Sequence, residues 1–140
     1  MLRESYRNFN MCLFTKAGTP LPLDDNEMLL YTAESVGFHI VVGEGGLFDT
    51  YWHKSDSGSV FITNCRVIYI PRNPTTNFCS FFCKSTSVMD AAAKEDTRIR
   101  MSVSLNGNVP GKITLKMKKN LPDTFLTQLS VSQDYLRALE

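Results

Sequence analysis

The chain has 140 residues, 43% hydrophobic and 21% charged, which is the composition of a globular protein of one domain. Its formal net charge of +1 excludes a strong overall attraction to nucleic acid or anionic lipid, so such a partner would have to meet a local patch. No stretch reaches the roughly 18 apolar residues of a membrane span, and the first residues lack the apolar centre of a signal peptide. We therefore expect an intracellular protein, cytoplasmic or nuclear, and peripheral to membranes if it binds lipid.

The cysteines and histidines do not form the pattern of a metal site. The four cysteines show no paired Cys-x-x-Cys spacing, and both histidines are remote in sequence from Cys79 and Cys83. Without a secretory signal, a disulfide framework is not expected. We predict no bound metal, no cofactor and four reduced thiols partly buried in strands.

The amino-terminal part is predicted to be an arm attached to one domain. Residues 1–26 are assigned to the arm and connector, and residues 27–140 to the domain. Residues 11–14 carry the apolar side chains with which the arm would dock. The acidic side chains of the connector at 19–26, and Glu27 after it, are expected to be solvated.

Two strands and an aromatic group come next. One strand runs through residues 28–31, and a second has alternate apolar residues from 36 to 40. Glycines in the segment 43–46 indicate a hairpin turn, because the Gly-Lys-Ser/Thr ending of a phosphate-binding loop is missing. The following aromatic group would be a protein-binding or membrane-dipping patch if exposed, and we expect it to be buried in the mouth of a barrel. Its members are Phe48, Tyr51 and Trp52.

The polar run at residues 53–56, HKSD, contains residue types found in hydrolases. Members of a catalytic triad meet in space from separate segments, so we interpret this run as a loop and predict no catalytic residues.

The central hairpin is predicted from residues 58–71, GSVFITNCRVIYIP. Two runs rich in β-branched residues flank Thr63 and Asn64, which are expected to form a tight turn because Asn tolerates left-handed backbone angles. The runs alternate poorly, so both faces of the hairpin should be largely covered.

The second half of the chain is predicted to contain one more strand, a last hairpin and a helix. Residues 78–82 read as a strand, and residues 89–93 as either a strand end or one helical turn. In the last hairpin, matching the apolar faces pairs Leu105 with Ile113.

The same register places Arg100 opposite Lys118. Residues 121–140 predict an amphipathic helix that Ser130-Val131-Ser132 would kink or end. About seven antiparallel strands followed by one helix predict a mainly β fold, a sheet or partly open barrel capped by the carboxy-terminal helix.

The central hairpin resembles the hallmark of GRAM domains, a subset of the pleckstrin-homology (PH) superfold. A Gly-x-hydrophobic strand leads to Ile62-Thr63-x-x-Arg66 and a second strand, and the likeness extends over residues 27–129. The WW-domain-binding-protein-2-like group is the most similar. The resemblance implies a PH-like barrel in a eukaryotic protein. The Pro-rich PPxY tail of that group has no counterpart in this sequence, so its WW-domain partners are not implied.

The resemblance also assigns structural roles to the motif residues Gly58, Thr63, Asn64 and Arg66. Arg66 is expected to hydrogen-bond nearby carbonyls and fix the hairpin against the sheet, and the alternative is contact with an acidic ligand. Thr63 and Asn64 are expected to form the turn.

The main surface candidate for ligand binding is a basic cluster, Arg98, Arg100, Lys116, Lys118 and Lys119. Facing cations cost roughly 0.2–1 kcal/mol in a bare sheet, and an anion between them would reverse that cost. A phosphoinositide headgroup, an acidic peptide or a phosphopeptide would fit, and a solvated strand face is the alternative. Nucleic acid is not expected, because the cluster is small and no aromatic side chain interleaves with it.

The resemblance therefore implies a non-enzymatic binding or adaptor module for protein–protein recognition, of the kind found in coregulators. Recognition would use an exposed strand edge or the groove beside the helix. The alternative is a membrane-targeting domain that binds phosphoinositide or acidic lipid through Arg100, Lys116 and Lys118.

Overall fold

The computed structural model describes residues 8–43, 50–106 and 108–140. Within these ranges the chain forms nine β-strands, followed by one long α-helix at its carboxy-terminal end. The strands are β1 (Leu29–Ala33), β2 (Gly37–Val42), β3 (Tyr51–Ser55), β4 (Gly58–Thr63), β5 (Arg66–Pro71), β6 (Phe81–Lys84), β7 (Val88–Lys94), β8 (Arg98–Leu105) and β9 (Val109–Lys116), and the helix is α1 (Leu121–Ala138). The predicted fold class, mainly β with one carboxy-terminal helix, is confirmed.

The strands form two antiparallel sheets, one of four strands in the order β1-β4-β5-β6 and one of five in the order β3-β2-β9-β8-β7. β1 pairs with β4 in one sheet, while β2 pairs with β3 in the other. The segments β1–β2 and β3–β4 are therefore two long strands, each of which bends and passes from one sheet into the other. The long strand formed by β1 and β2 bends at Ser35, whose φ is 58°. At the bend, the Val36 amide donates to the Gly58 carbonyl at 2.9 Å. If β1–β2 and β3–β4 are each counted as one bent strand, the nine strands become seven, which agrees with the predicted number.

The core lies between the two sheets and is closed by α1. Alternate residues of β8 and β9 point inward, among them Ile99 and Ile113, as their periodicity predicts. From α1, Phe125 and Leu129 are buried against this core. The helix therefore covers the open side of the sandwich with one apolar stripe.

The helix is continuous over Leu121–Ala138, so the predicted break at residues 130–132 is wrong. Ser132 is fully buried and its hydroxyl donates to Ser85 Oγ. Ser85 begins a short 3-10 helix, Ser85–Ser87, that lies before β7. A serine hydroxyl in a helix can disturb the helical hydrogen bonds by bonding to nearby backbone groups. The Ser132 hydroxyl bonds to Ser85 instead, which is why this serine is tolerated in the helix.

The amino-terminal arm packs on the four-stranded sheet. Phe9 bridges to Phe81 of β6 and is buried in the main core. Cys12 is buried in a second, smaller apolar cluster on the outer face of this sheet. Of the predicted docking residues, Met11 and Leu13 are exposed, because only one side of an extended segment can face the sheet.

The register of the last hairpin differs from the predicted one. Leu105 pairs with Val109 instead of Ile113, and Arg100 pairs with Thr114 instead of Lys118. The turn is tight, with Asn108 in the left-handed region at φ 60°. The four-residue difference is even, so every side chain keeps its predicted face.

Candidate functional site

Arg66 lies at the centre of a buried polar cluster under the arm. Its guanidinium makes a two-pronged contact with the Glu27 carboxylate, Nε to Oε2 at 2.7 Å and Nη2 to Oε1 at 3.0 Å. Nη2 also donates to the Leu21 carbonyl at 2.9 Å. The side chains of Arg66 and Glu27 are 4% and 3% exposed. Arg66 thus ties the hairpin to the connector, and the prediction that Glu27 is solvated is wrong.

Glu27 is held as a carboxylate in this cluster. Burial alone would raise its pKa, but hydrogen bonds from Arg66, from the Leu23 amide, from Thr63 and from Cys65 outweigh burial and lower the pKa to about 2. The charge is therefore fully compensated inside the protein. Both carboxylate oxygens of Glu27 already accept hydrogen bonds inside the protein, and Arg66 is paired with them, so neither side chain is available to an external ligand. The cluster is therefore a structural centre.

Thr63 and Asn64 shape the hairpin end differently from the prediction. β4 ends at Thr63 and β5 begins at Arg66, so the turn lies one residue later, over residues 64–65. Thr63 Oγ1 accepts from the Arg66 amide at 3.0 Å. Asn64 is not in the left-handed region; its side chain instead accepts from the Met28 amide and donates to the Asn26 carbonyl.

Gly58 is fixed by packing. A Cβ at this position would lie 2.5 Å from the Ile70 carbonyl oxygen and 2.6 Å from Tyr69 Cζ. The Tyr69 hydroxyl needs this approach, because it donates to the Val36 carbonyl at 2.7 Å beside the bend. The motif residues therefore all serve the hairpin and the bend next to it.

The predicted basic cluster is only partly assembled. Arg98, Arg100 and Lys116 lie on the outer face of the five-stranded sheet, with Arg98 directly opposite Lys116. Lys118 and Lys119 follow the end of β9, in the connection to α1. The like-charge contact expected for Arg100 and Lys118 thus occurs between Arg98 and Lys116.

Three further cations share this face and were missed in the sequence. Lys112 projects from β9, Lys94 pairs with Arg98 from β7, and Lys54 projects from β3 at the opposite edge. Lys112 could have been found by strand alternation. Lys54 and Lys94 could not have been found in this way, because local alternation does not show that β3 and β7 belong to the same sheet as β8 and β9.

The aromatic group splits between the two faces of β3. Trp52 is 63% exposed on the outer face, 6.0 Å between ring centroids from His39, so its expected burial is wrong. Tyr51 is half-buried and packs edge-on against Phe9 at 6.2 Å. The third member, residue 48, lies outside the described residues, as does most of the glycine turn. Successive side chains of a strand point to opposite faces, so Trp52 and Tyr51 cannot belong to one aromatic patch.

The polar run at 53–56 is mostly strand and not loop. His53, Lys54 and Ser55 belong to β3, and His53 packs against the rings of Phe9 at 4.9 Å and Phe78 at 5.1 Å. Burial lowers the pKa of His53. In the part of the chain that the structure describes, no three His, Cys, Asp or Glu side chains converge in a way that could hold a metal ion.

All four cysteines are free thiols, and the most deeply buried is Cys83, whose pKa burial raises to about 12. Burial also raises the pKa of Cys12 and of Cys65. The raised pKa keeps Cys12, Cys65 and Cys83 protonated near neutral pH, which makes these three thiols poor nucleophiles.

A groove of 260 Å³ runs between β7 and α1. Its surface is mostly polar, with Asp90, Ser130, Gln133 and Arg137 in the lining; Met89 and Leu126 contribute apolar atoms, while Val88 and Leu129 lie buried at its base. The Gln133 amide donates to the carbonyls of Ser85 and Val88, at 3.0 and 3.2 Å, which fixes the helix beside the start of β7. The residues 89–93, left open between strand and helix, are strand.

β7 is one of the two edge strands of the five-stranded sheet in the described residues, and β3 is the other. The outer neighbour of β7 is the groove, and Met89 at the mouth of the groove is 71% exposed. Among the described helices, none has the length and apolarity needed to cross a bilayer.

Comparison with known proteins adds little beyond these observations. A scan against known protein families and a search of curated proteins each find no match. Among solved structures, the C-terminal domain of an unknown protein from Leishmania infantum is similar at 21% identity and a TM-score of 0.43, over 79% of this chain and 85% of that one. A likeness at this level carries no inference about function.

Proposed function

We propose that the chain is a non-enzymatic binding module of the GRAM type, within the PH superfold, that recognises a partner protein. The partner would contribute an extended peptide that pairs with the free edge of β7 and lays side chains into the groove against α1. The observation that carries the proposal is that this free edge and this groove lie side by side.

The edge of β7 is open to another backbone. Edge strands present unpaired N–H and C=O groups, and proteins usually blunt them with lysine, proline or bulges. β7 has a bulge between Val88 and Asp90 and a lysine, Lys94, at its end. The three residues 91–93 between them are alanines, whose small side chains leave the backbone accessible.

The groove supplies what backbone pairing alone lacks. In β-strand addition, main-chain hydrogen bonds give affinity and pockets for alternate side chains give specificity. Here Met89, a flexible and exposed side chain at the mouth, and the half-buried Leu126 offer apolar contacts beside the polar groups of Ser130, Gln133 and Arg137. The expected peptide is therefore extended, with apolar residues at alternate positions.

The family assignment rests on the motif and on the topology together. Gly58, Thr63 and Arg66 are engaged in fixing the central hairpin, which accounts for their presence in a recurring motif. Seven strands, with β1–β2 and β3–β4 each counted as one, and a closing helix agree with a PH-like barrel. Acidic-lipid binding through Arg100, Lys116 and Lys118 stays a prediction; Lys118 lies beyond the end of β9.

Selection of random displayed peptides on the intact chain tests the proposal. We expect selected peptides to show apolar residues at every second position and to shift the NMR signals of β7 and α1. Met89→Glu and Ser130→Arg, at two exposed positions of the groove, should abolish binding. Lys112→Glu, on the outer face of the same sheet, is the matched control and should leave peptide binding unchanged.

The opposite pattern overturns the proposal. If the selected peptides survive Met89→Glu and Ser130→Arg but are lost with Lys112→Glu, recognition does not use the β7 edge. Circular dichroism of each variant separates lost binding from lost folding.

A further inference from the structure

The outer face of the five-stranded sheet carries six cationic side chains against one carboxylate. We call this surface the basic face; its charged residues are Lys54, Lys94, Arg98, Arg100, Lys112 and Lys116, with Asp90 as the carboxylate. The whole chain has a net charge of only +1. The remaining positions therefore hold more acidic than basic residues, and positive charge is concentrated on this face.

These cations are not neutralised by the protein. None of the six lies within ion-pair distance of a carboxylate among the described residues. Lys116, Arg98 and Lys94 stand side by side on three neighbouring strands, where backbones are only about 5 Å apart. Like charges directly opposite destabilise a sheet, so this arrangement favours an anionic ligand over the unliganded state.

The spacing of the cations suits a chain of phosphates. Arg98 and Arg100 are two residues apart on β8, which separates them by about 7 Å along the strand. The side chains between the cations are small, with Thr114 and Ala92 on either side of Arg100. A flexible polyanion could therefore lie flat across the strands and meet several cations.

Rings suitable for stacking lie on the same face. Trp52 pairs with Val41, and His39 pairs with Lys54, so both rings are on β2 and β3 next to the cationic strands. Trp52 is 63% exposed, an unusual position for so large an apolar side chain. Base stacking on an exposed aromatic ring is a sequence-tolerant way of holding single strands.

A shallow hollow completes the face. It measures 570 Å³ and is lined in part by Val41, Gly43, Ser104 and Lys112. Val41 is the cross-strand partner of Trp52. This volume lies within the range of about 300–1,000 Å³ that is typical of small-ligand sites. An apolar hollow beside a lysine fits an unstacked base with its phosphate.

We propose that the basic face binds single-stranded nucleic acid, with phosphates on its cations and a base stacked on Trp52. Both reasons for not expecting nucleic acid from the sequence are removed: the cluster has six cations, and aromatic rings share its face. A bilayer or an acidic protein would also meet the charge, but neither needs the combination of spaced cations, exposed ring and hollow. The face borders the β7–α1 groove at Met89 and Asp90, but neither the six cations nor Trp52 lines that groove, so this proposal and the one above are tested by different residues.

Fluorescence anisotropy with a labelled oligouridine of about 12 nucleotides, a length within the site sizes of such surfaces, tests the proposal. We expect micromolar affinity at low salt, with log K falling against log salt at a slope of about −3 to −4 if about five phosphates are neutralised. Arg98→Gln with Lys116→Gln should reduce the magnitude of that slope by about 1.4. Trp52→Ala should weaken binding roughly 5- to 150-fold and leave the slope unchanged.

Matched controls decide whether the face or overall charge is responsible. Lys16→Gln with Arg72→Gln removes the same charge from elsewhere on the surface and should leave affinity and slope within error of the unmodified chain. Equal losses in both double variants would overturn the proposal. So would binding of vesicles containing phosphatidylserine, or of polyglutamate, with no binding of the oligouridine. Thermal melts of each variant identify any loss that is due to unfolding.

Discussion

At the scale of single residues, the Arg66–Glu27 pair stabilises the junction between connector and hairpin. Removing one partner of a buried pair leaves the other charge unpaired, at a cost of about 3–5 kcal/mol. We expect Arg66→Met to lower the free energy of unfolding by about that amount in urea denaturation. The double variant Arg66→Met with Glu27→Leu should cost clearly less than the two single changes added together, because it leaves no buried charge. Additive losses would contradict direct coupling of the two side chains.

The Tyr31 hydroxyl offers a second prediction at this scale. Its oxygen is buried without a hydrogen-bond partner among the described residues, while its ring packs edge-on against Phe125 at 6.0 Å. A buried unpaired hydroxyl costs about 1–3 kcal/mol, so Tyr31→Phe should leave stability unchanged or raise it by about 1 kcal/mol.

Tyr69→Phe is the matched control for that change. Its hydroxyl lies 2.7 Å from the Val36 carbonyl oxygen and 2.9 Å from Ser55 Oγ. Losing this hydroxyl should lower stability by about 1 kcal/mol or more, because buried partners are left unpaired. Equal effects of the two substitutions in thermal melts would show that hydrogen bonding at these hydroxyls does not decide stability.

At the scale of elements, the arm is predicted to be held chiefly by Phe9. This ring is 2% exposed and lies 5.2 Å from Phe81 and 4.9 Å from His53 between centroids. Phe9→Ala should destabilise the protein by about 3–5 kcal/mol, the usual cost of emptying a buried aromatic site. Leu13→Ala is the control, because Leu13 is 71% exposed, and it should change stability by less than about 0.5 kcal/mol.

The elements also show which parts of the fold the sequence could specify. Alternation identified the strands of the last hairpin and the faces of their side chains, because period two is a local property. It could not fix their register, since pairing Leu105 with Val109 or with Ile113 buries the same set of residues. The tight turn decides between them, with Asn108 in the left-handed region at φ 60°. Asparagine tolerates this backbone conformation, so the residue type at 108 was a local signal for the turn.

The candidate site depended even more on non-local contacts. Glu27 was assigned to a solvated connector because its charge and its Asp-rich neighbourhood are typical of one, and only the tertiary contact with Arg66 buries it. The basic face likewise gathers Lys54 and Lys94 from opposite edges of a sheet whose order, β3-β2-β9-β8-β7, no local pattern specifies. Residue chemistry was therefore predictable here, whereas the partners of each residue were not.

At the scale of the whole molecule, stability should fall in two steps as the pH is lowered. Burial lowers the pKa of His53 in the folded protein, so below the unfolded value of 6.5 the unfolded chain binds more protons and gains population. Stability is then full above pH 6.5 and declines as the pH falls toward the folded pKa of His53. We expect His53→Phe, which keeps a ring beside Phe9 and Phe78, to remove this first step.

The second step belongs to Glu27. Its pKa is 4.5 in the unfolded reference and about 2 in the folded protein, so its contribution is complete above pH 4.5 and is lost as the pH falls through about 2. A shift of this size corresponds to about 3 kcal/mol at neutral pH. Urea denaturation at a series of pH values should show this decline in the unmodified chain and in His53→Phe. The decline between about pH 4.5 and 2 should be absent from Glu27→Gln, whose stability is lower at neutral pH but does not change over that range. If the stability of Glu27→Gln instead declines in parallel with that of the unmodified chain, the acid step belongs to other carboxylates.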